Sequence, residues 1–384
     1  MGRIYNPQNC DPAFLVESYR ACKDFHGAGC ETAYYQLLLK SLGRLLHEGT
    51  KSIEPPEKFR VIDVLDCQVI QAPEQCEYVV LSYVWGAEPF LRLTTHTHAQ
   101  LMTPGSLKSA AVLRTIRETI ELVAKIGERY LWVDALCILQ DDDTDKLKQI
   151  SQMDSIFGFA SLTVVTGGGD GVKAGLEGYA PNSRSVTQHT EKIQGRRFIA
   201  MSPPLRVVLP SLRWNSRAWT YQEFWLSKRL LILTPQRAFF VCASEPVNED
   251  SVHYDLNFRR CYFSDTQRIA SARSVDPGFP EFLWRVHGKH RPNNRGFLSE
   301  RVIKNLAGNQ VYKTLVRDYT RRGVTYEGNV LYTVSGVLRS VALFKDDFCL
   351  YGLPESILDW ALLWQPLAPL PRRCAAMHQV PSWS

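Results

Sequence analysis

The sequence predicts an α/β fold with a parallel sheet core flanked by helices. Three observations lead there. Two short apolar runs, Tyr78-Val-Val-Leu-Ser-Tyr-Val-Trp-Gly86 and Leu131-Trp-Val-Asp-Ala-Leu-Cys-Ile-Leu139, each stop at polar or glycine residues, as strands do. Between them Ile116, Ile120, Val123 and Ile126 recur at helical spacing. A third run, Ser161-Leu-Thr-Val-Val-Thr166, follows a second helical stripe. Strand, helix, strand, helix, strand implies a right-handed parallel core. Open sheets of that kind place ligands outside the carboxyl ends of their strands.

The elements follow in order. Residues 11–48 carry helical spacing, with Leu37, Leu38, Leu42, Leu45 and Leu46 on one face. Pro55 and Pro56 mark a connector, and Phe59–Val64 with the Val69–Ile70 region reads as a strand pair. Thr115-Ile-Arg-Glu118 has the form of a capping box, and Gly127 closes that helix. Leu131–Leu139 reads as one strand covered on both faces. Leu147, Ile150, Met153 and Phe157 form one helical stripe. Residues 179–205 read as loop. Leu230–Leu233 and Ala238–Cys242 read as two strands around a turn at Pro235. From about residue 305 helices return, over Tyr312–Arg322, Val330–Phe344 and Glu355–Trp364.

Composition bounds the function. The 384 residues are 45% apolar and 22% charged, ordinary values for a chain with a sizeable core. The net charge of +6 is spread out and forms no dense basic stripe, which argues against nucleic acid. The Arg317–Arg322 cluster, interrupted by Asp318 and Tyr319, reads as a solvated helix face. No run reaches the roughly 18 apolar residues of a membrane span. The N-terminus lacks the apolar core of a signal peptide. Ten cysteines without a CxxC pair point to reduced thiols, and so to a cytoplasmic protein.

An ordered set of motifs resembles the heterokaryon-incompatibility (HET) domain proteins of filamentous fungi. The set runs through Arg60-Val-Ile-Asp63, Tyr78–Gly86, Tyr130–Asp142, Met153–Thr166, Gly175-Leu176, Arg217-Ala-Trp-Thr-Tyr-Gln-Glu223 and Leu226-Ser227. Tyr319-Thr-Arg321, Ser335-Gly336, Gly352-Leu353, Leu362-Leu-Trp364 and Pro381-Ser-Trp-Ser384 extend it toward the C-terminus. The resemblance implies an N-terminal helical lead over 1–55, a HET domain over 56–250 with core motifs at 78–227, and a mainly helical region over 251–384. Relatives usually continue into further β-structure, which implies a truncated or divergent copy here. The domain is distantly similar to Toll/interleukin-1 receptor (TIR) domains, so the core is expected to be flavodoxin-like or TIR-like. The implied role is non-self recognition and programmed cell death through self-association and an incompatibility partner protein. Because several TIR domains cleave NAD at the nicotinamide–ribose bond, NAD is the candidate substrate, and no cofactor is required. The alternative is a non-enzymatic signalling module.

In the TIR comparison a Trp-x-x-x-Glu motif carries the catalytic carboxylate, and Trp219-Thr-Tyr-Gln-Glu223 has that spacing. Glu223 is therefore the candidate catalytic group and Trp219 a wall beside it. The competing role for Glu223 is an ion pair with Arg217 or Arg229. Ser82, Tyr83, Trp85 and Gly86 end the first strand and are candidate ligand contacts. The competing reading packs the two aromatics in the core and gives Gly86 a turn. Asp134 interrupts an apolar run, where a carboxylate needs a partner: a ligand hydroxyl or an arginine. Cys137 reads as an inert small hydrophobe. Asp141, Asp142 and Asp143 read as the acidic start of a helix. Gly167-Gly-Gly-Asp-Gly171 could cradle a phosphate or form a plain loop. Cys22, His26 and Cys30, four apart, could bind zinc with Cys10, but they fit no established pattern and Gly27 and Gly29 weaken the helix, so no metal is expected.

Overall fold

The computed structural model describes residues 4–26, 30–31, 54–169, 171, 173–184, 186–200, 203–242, 247–250, 312–313, 315–325, 327–345 and 349–363. Its centre is one sheet of eight strands in the order β10-β9-β8-β5-β3-β4-β1-β2. The parallel heart is β4 (Tyr130–Trp132), β3 (Tyr78–Ser82), β5 (Leu162–Thr166) and β8 (Leu230–Leu233). Antiparallel strands complete both sides. On one lie β1 (Arg60–Asp63) and β2 (Gln68–Gln71), a hairpin as the sequence predicts. On the other lie β9 (Ala238–Val241) and β10 (Val247–Asn248). The α/β class read from the sequence is the fold observed.

In β8 and β9 strand residues alternate between two apolar cores, whereas consecutive residues of β1, β3 and β4 all enter the larger one. Leu231, Leu233, Ala238 and Phe240 join the larger core, while Leu230, Ile232, Phe239 and Val241 join the other. With both faces covered, the strands need no polar positions, which is why they read as unbroken apolar runs. The larger core is roofed by α1 (Pro12–His26) and α2 (Arg114–Ile126). On the opposite face α6 (Thr220–Leu226), buried at all seven positions, packs between α5 (Met153–Phe159) and α7 (Tyr332–Lys345). A Cβ at Gly336 would come 2.6 Å from the Asp154 Cβ and 3.0 Å from Gln222 Oε1, so glycine lets α7 lie directly on its neighbours.

Several sequence expectations change here. The Leu131–Leu139 run is not one strand: β4 stops at Trp132, and Asp134–Cys137 is a helical turn, α3. Short apolar runs satisfy a buried turn as well as a buried strand, and periodicity cannot separate the two. The predicted capping box does not form. The N-cap of α2 is Leu113, and Thr115 and Glu118 face another segment instead. Thr115 Oγ1 accepts from Gly175 N at 3.0 Å and Glu118 Oε2 from Leu176 N at 2.6 Å, so these groups hold the Gly175–Leu176 loop. Gly127 does close α2, at φ 91°, its N–H reaching the carbonyls of Ala124 and Val123. The stripe from Leu147 to Phe157 is split at Gln152 into α4 (Asp143–Ser151) and α5, and Leu147 is exposed. Within the predicted loop 179–205 lies an exposed hairpin, β6 (Thr190–Ile193) and β7 (Arg196–Ile199). The C-terminal part holds α7 and a small hairpin of β11 (Cys349–Leu350) and β12 (Leu353–Pro354). The predicted leucine face at 37–46 and the Pro381–Ser384 motif lie outside the described residues. Among the described residues no helix is long and apolar enough to cross a membrane.

Candidate functional site

The chain passes from β3 to β4 on one side and later returns to β5 on the other, so β3 and β5 flank a topological switch point. Crevices form at the carboxyl ends of strands at such points. Ser82, the last residue of β3, sits there, buried at 2% exposure. The crossover from β5 to β8 carries Trp214, then Arg217, Trp219 and Glu223 on or just before α6.

Ser82 joins two of them. Its hydroxyl donates to Glu223 Oε2 and accepts from the Trp214 indole N–H at 2.6 Å. Burial pushes the Glu223 carboxyl up to about 7; the Ser82 hydrogen bond opposes this, the Asp134 charge adds to it, and Arg217 and Arg322 oppose it. Among the described residues no ion pair joins Glu223 to Arg217 or to Arg229. The Arg229 guanidinium pairs with Glu31 at another location.

Asp134 opens α3 beyond β4 and is half-buried. Its Oδ2 accepts the Trp85 indole N–H at 2.7 Å and its Oδ1 accepts Ala135 N at 2.7 Å. Burial again dominates and raises this carboxyl to about 6, against the hydrogen bonds from Trp85 and Ala135 and the charge of Arg217. Burial therefore disfavours ionisation of both side chains, and the charge of Arg217 favours it in both. Tyr83, buried at 6%, feels the same Asp134 charge, which with burial holds its phenol far from ionising. Among the described residues its hydroxyl finds no hydrogen-bond partner of ordinary geometry.

Of the predicted set, Ser82, Tyr83, Asp134 and Glu223 come together. Trp85 is half-buried and committed: its N–H holds Asp134, its ring meets Phe90 edge-on at 5.5 Å, and Arg92 lies over its face at 5.8 Å. Gly86 is exposed, at φ 77°, in the left-handed region that glycine takes without strain. Trp219 packs against the larger core, and the indole that touches the Ser82–Glu223 pair is Trp214 instead.

Two contributors escaped the sequence reading. Trp214 lies three residues before the Arg217–Glu223 motif, and nothing in its spacing ties it to Ser82. The basic composition of the Arg317–Arg322 cluster predicts a solvated Arg322. In fact it turns inward, donating to Asn215 Oδ1 at 2.7 Å and Thr220 Oγ1 at 3.0 Å, with Tyr221 4.8 Å below its guanidinium. Burial lowers its pKa to about 10, opposed by the neighbouring Tyr221, Asp318 and Glu223.

The remaining candidates resolve as structural. The first glycines after β5 do not offer a free cradle: Gly168 N donates to Glu177 Oε1 at 2.8 Å, so a carboxylate of the chain already fills that role. Asp142 caps α4 by accepting from Thr144 N and Asp145 N. Cys137 is fully buried, and burial pushes its thiol up to about 12, far from a nucleophile. Cys10 stands beside Arg184, with Nη1 to Sγ at 3.1 Å, and so does not join Cys22, His26 and Cys30.

No curated protein and no solved structure matches the chain. A family model does, the one described as heterokaryon incompatibility protein (HET), over residues 78–223. That span starts with β3 and ends on Glu223, so it encloses Ser82, Tyr83, Asp134, Trp214 and the carboxylate they surround. The chain therefore carries a heterokaryon incompatibility (HET) domain over residues 78–223.

Proposed function

We propose that the chain is an effector of heterokaryon incompatibility whose crevice at the end of β3 hydrolyses the nicotinamide N-glycosidic bond of NAD, switched on by self-association. The observation that carries this reading is the buried Glu223 carboxyl bonded to Ser82 at the switch point of a parallel sheet. Glycosidic cleavage develops positive charge on the ribose, and a fixed carboxylate stabilises it. Water adds to the ribosyl carbon, the carbon–nitrogen bond breaks, nicotinamide leaves as a neutral base, and one proton is released. Glu223 in its ionised form faces the ribose, Ser82 orients it, and the Tyr83 hydroxyl and Asp134 are hydrogen-bonding groups for the substrate. The TIR-like comparison supports the same assignment through the Trp219–Glu223 spacing.

A second reading, a non-enzymatic module acting by assembly, is favoured by one observation: Glu223 is only 9% exposed and one of its oxygens is already engaged by Ser82. Concentrated full-length chain, with and without a crowding agent, is incubated with NAD and released nicotinamide is measured. The first reading expects release, and a loss of at least about a hundredfold in a folded Glu223→Gln variant. Equal release from both proteins removes Glu223 from the chemistry, and no release from the parent in its assembled form supports the second reading.

A further inference from the structure

The final two turns of α1 present Cys22 and His26 on one face, and Cys30 follows in the turn beyond. Cys242, immediately after β9, arrives at the same point from the far end of the sheet. All four are buried, at 1%, 5%, 0% and 1% exposure, and their ligand atoms lie within 4.8 Å of one another. We propose that Cys22, His26, Cys30 and Cys242 bind one structural zinc ion, with the imidazole coordinating through Nδ1.

The spacing is the strongest argument. Zinc bonds of ~2.3 Å to sulfur and ~2.0–2.1 Å to nitrogen at a tetrahedral angle put the nitrogen ~3.6 Å from each sulfur. His26 Nδ1 lies 3.6 Å from Cys30 Sγ and 3.5 Å from Cys242 Sγ. The three cysteines are thiols, not disulfides. Three thiolates and a neutral imidazole around a divalent ion leave one negative charge. Arg229, wholly buried, donates from Nε to Cys22 Sγ at 3.1 Å and sets a positive charge beside that sulfur. Its other groups are anchored to Ser161 O and to Glu31, so the guanidinium is fixed behind the sulfur, as outer partners of metal ligands are. Softness and closure select the metal. Three thiolates and one imidazole suit zinc, and a closed set of four protein ligands with no open position suits a structural role. The ion ties the N-terminal helix to the antiparallel side of the sheet, away from Ser82 and Glu223, so the proposal is independent of the NAD reading.

The test starts with full-length chain purified under reducing conditions, without chelator and without a nickel column. Elemental analysis is expected to find about one zinc per chain. Cys30→Ser and Cys242→Ser are expected to lower that at least about tenfold. Because such variants can fail to fold, the parent is also stripped of metal and titrated with cobalt(II). Tetrahedral thiolate d–d bands saturating at one equivalent, displaced by zinc, support the site. Folded parent with negligible transition metal and no such bands overturns it. So does a mass two hydrogens short that reports a disulfide within the set, or a cobalt spectrum unchanged in a folded Cys242→Ser variant.

Discussion

Replacing Glu223 by Gln isolates the energetic cost of the buried carboxylate. The side chain keeps its shape, and the amide oxygen still accepts from Ser82. Only the ability to ionise is lost. The folded-state pKa of Glu223 is about 7 against an ordinary 4.5, so its contribution to stability is fully present below about pH 4.5 and is lost as pH rises through about 7. At ~1.36 kcal/mol for each pH unit of separation, the parent should lose about 3 kcal/mol relative to Glu223→Gln between about pH 4 and pH 8. Urea unfolding of both proteins across that range gives the difference directly. Asp134 titrates in the same window but is present in both, and so largely cancels. Parallel stability profiles, or a Gln variant that loses ground as pH rises, would refute the claim that burial dominates this carboxyl.

Two further outcomes follow from the same contacts. Ser82→Ala removes the hydrogen bond that favours ionised Glu223, so the midpoint of the pH-dependent stability difference should move above about 7, and the Trp214 indole should leave a deficit of about 1–3 kcal/mol; a midpoint that stays or falls contradicts this. Arg184→Met leaves Glu249 buried without its bidentate partner and should cost about 3–5 kcal/mol in urea unfolding, whereas Arg129→Met, at a pair whose arginine is half exposed, should cost less than Arg184→Met does. Equal losses at the two positions would show that burial does not set the cost.

The parallel core was legible because its strands are buried on both faces and so spell out continuous apolar runs. The β1–β2 pair was legible from its short apolar runs, and the β8–β9 hairpin from the turn at Pro235 between its two strands. Where polar residues bond to distant chain, local rules failed. Thr115 and Glu118 have the spacing of a cap, yet they serve Gly175 and Leu176, some 60 residues on. Arg322 sits in a basic cluster whose composition says solvent, and it is the partners at Asn215 and Thr220 that draw it inward. At the candidate site, strand-end logic found Ser82 and Asp134, and family resemblance found Glu223. Trp214 needed the crossover's path. Cys242 stands 216 positions from His26, beyond any spacing rule.

The span that matches the family model also bears on how the chain can be divided. Residues 78–223 contain β3, β4 and β5, but β4 takes its outer partner from β1 and β5 takes its own from β8, which begins at Leu230. A piece cut at those limits would bare a row of backbone donors and acceptors on each side and would end partway through α6, at the fourth of its seven residues. Unprotected margins of that sort template pairing with other chains. The stretch that matches the family model is therefore smaller than the sheet it belongs to, and the flanking strands β1 and β8 cover edges otherwise open to intermolecular β-pairing.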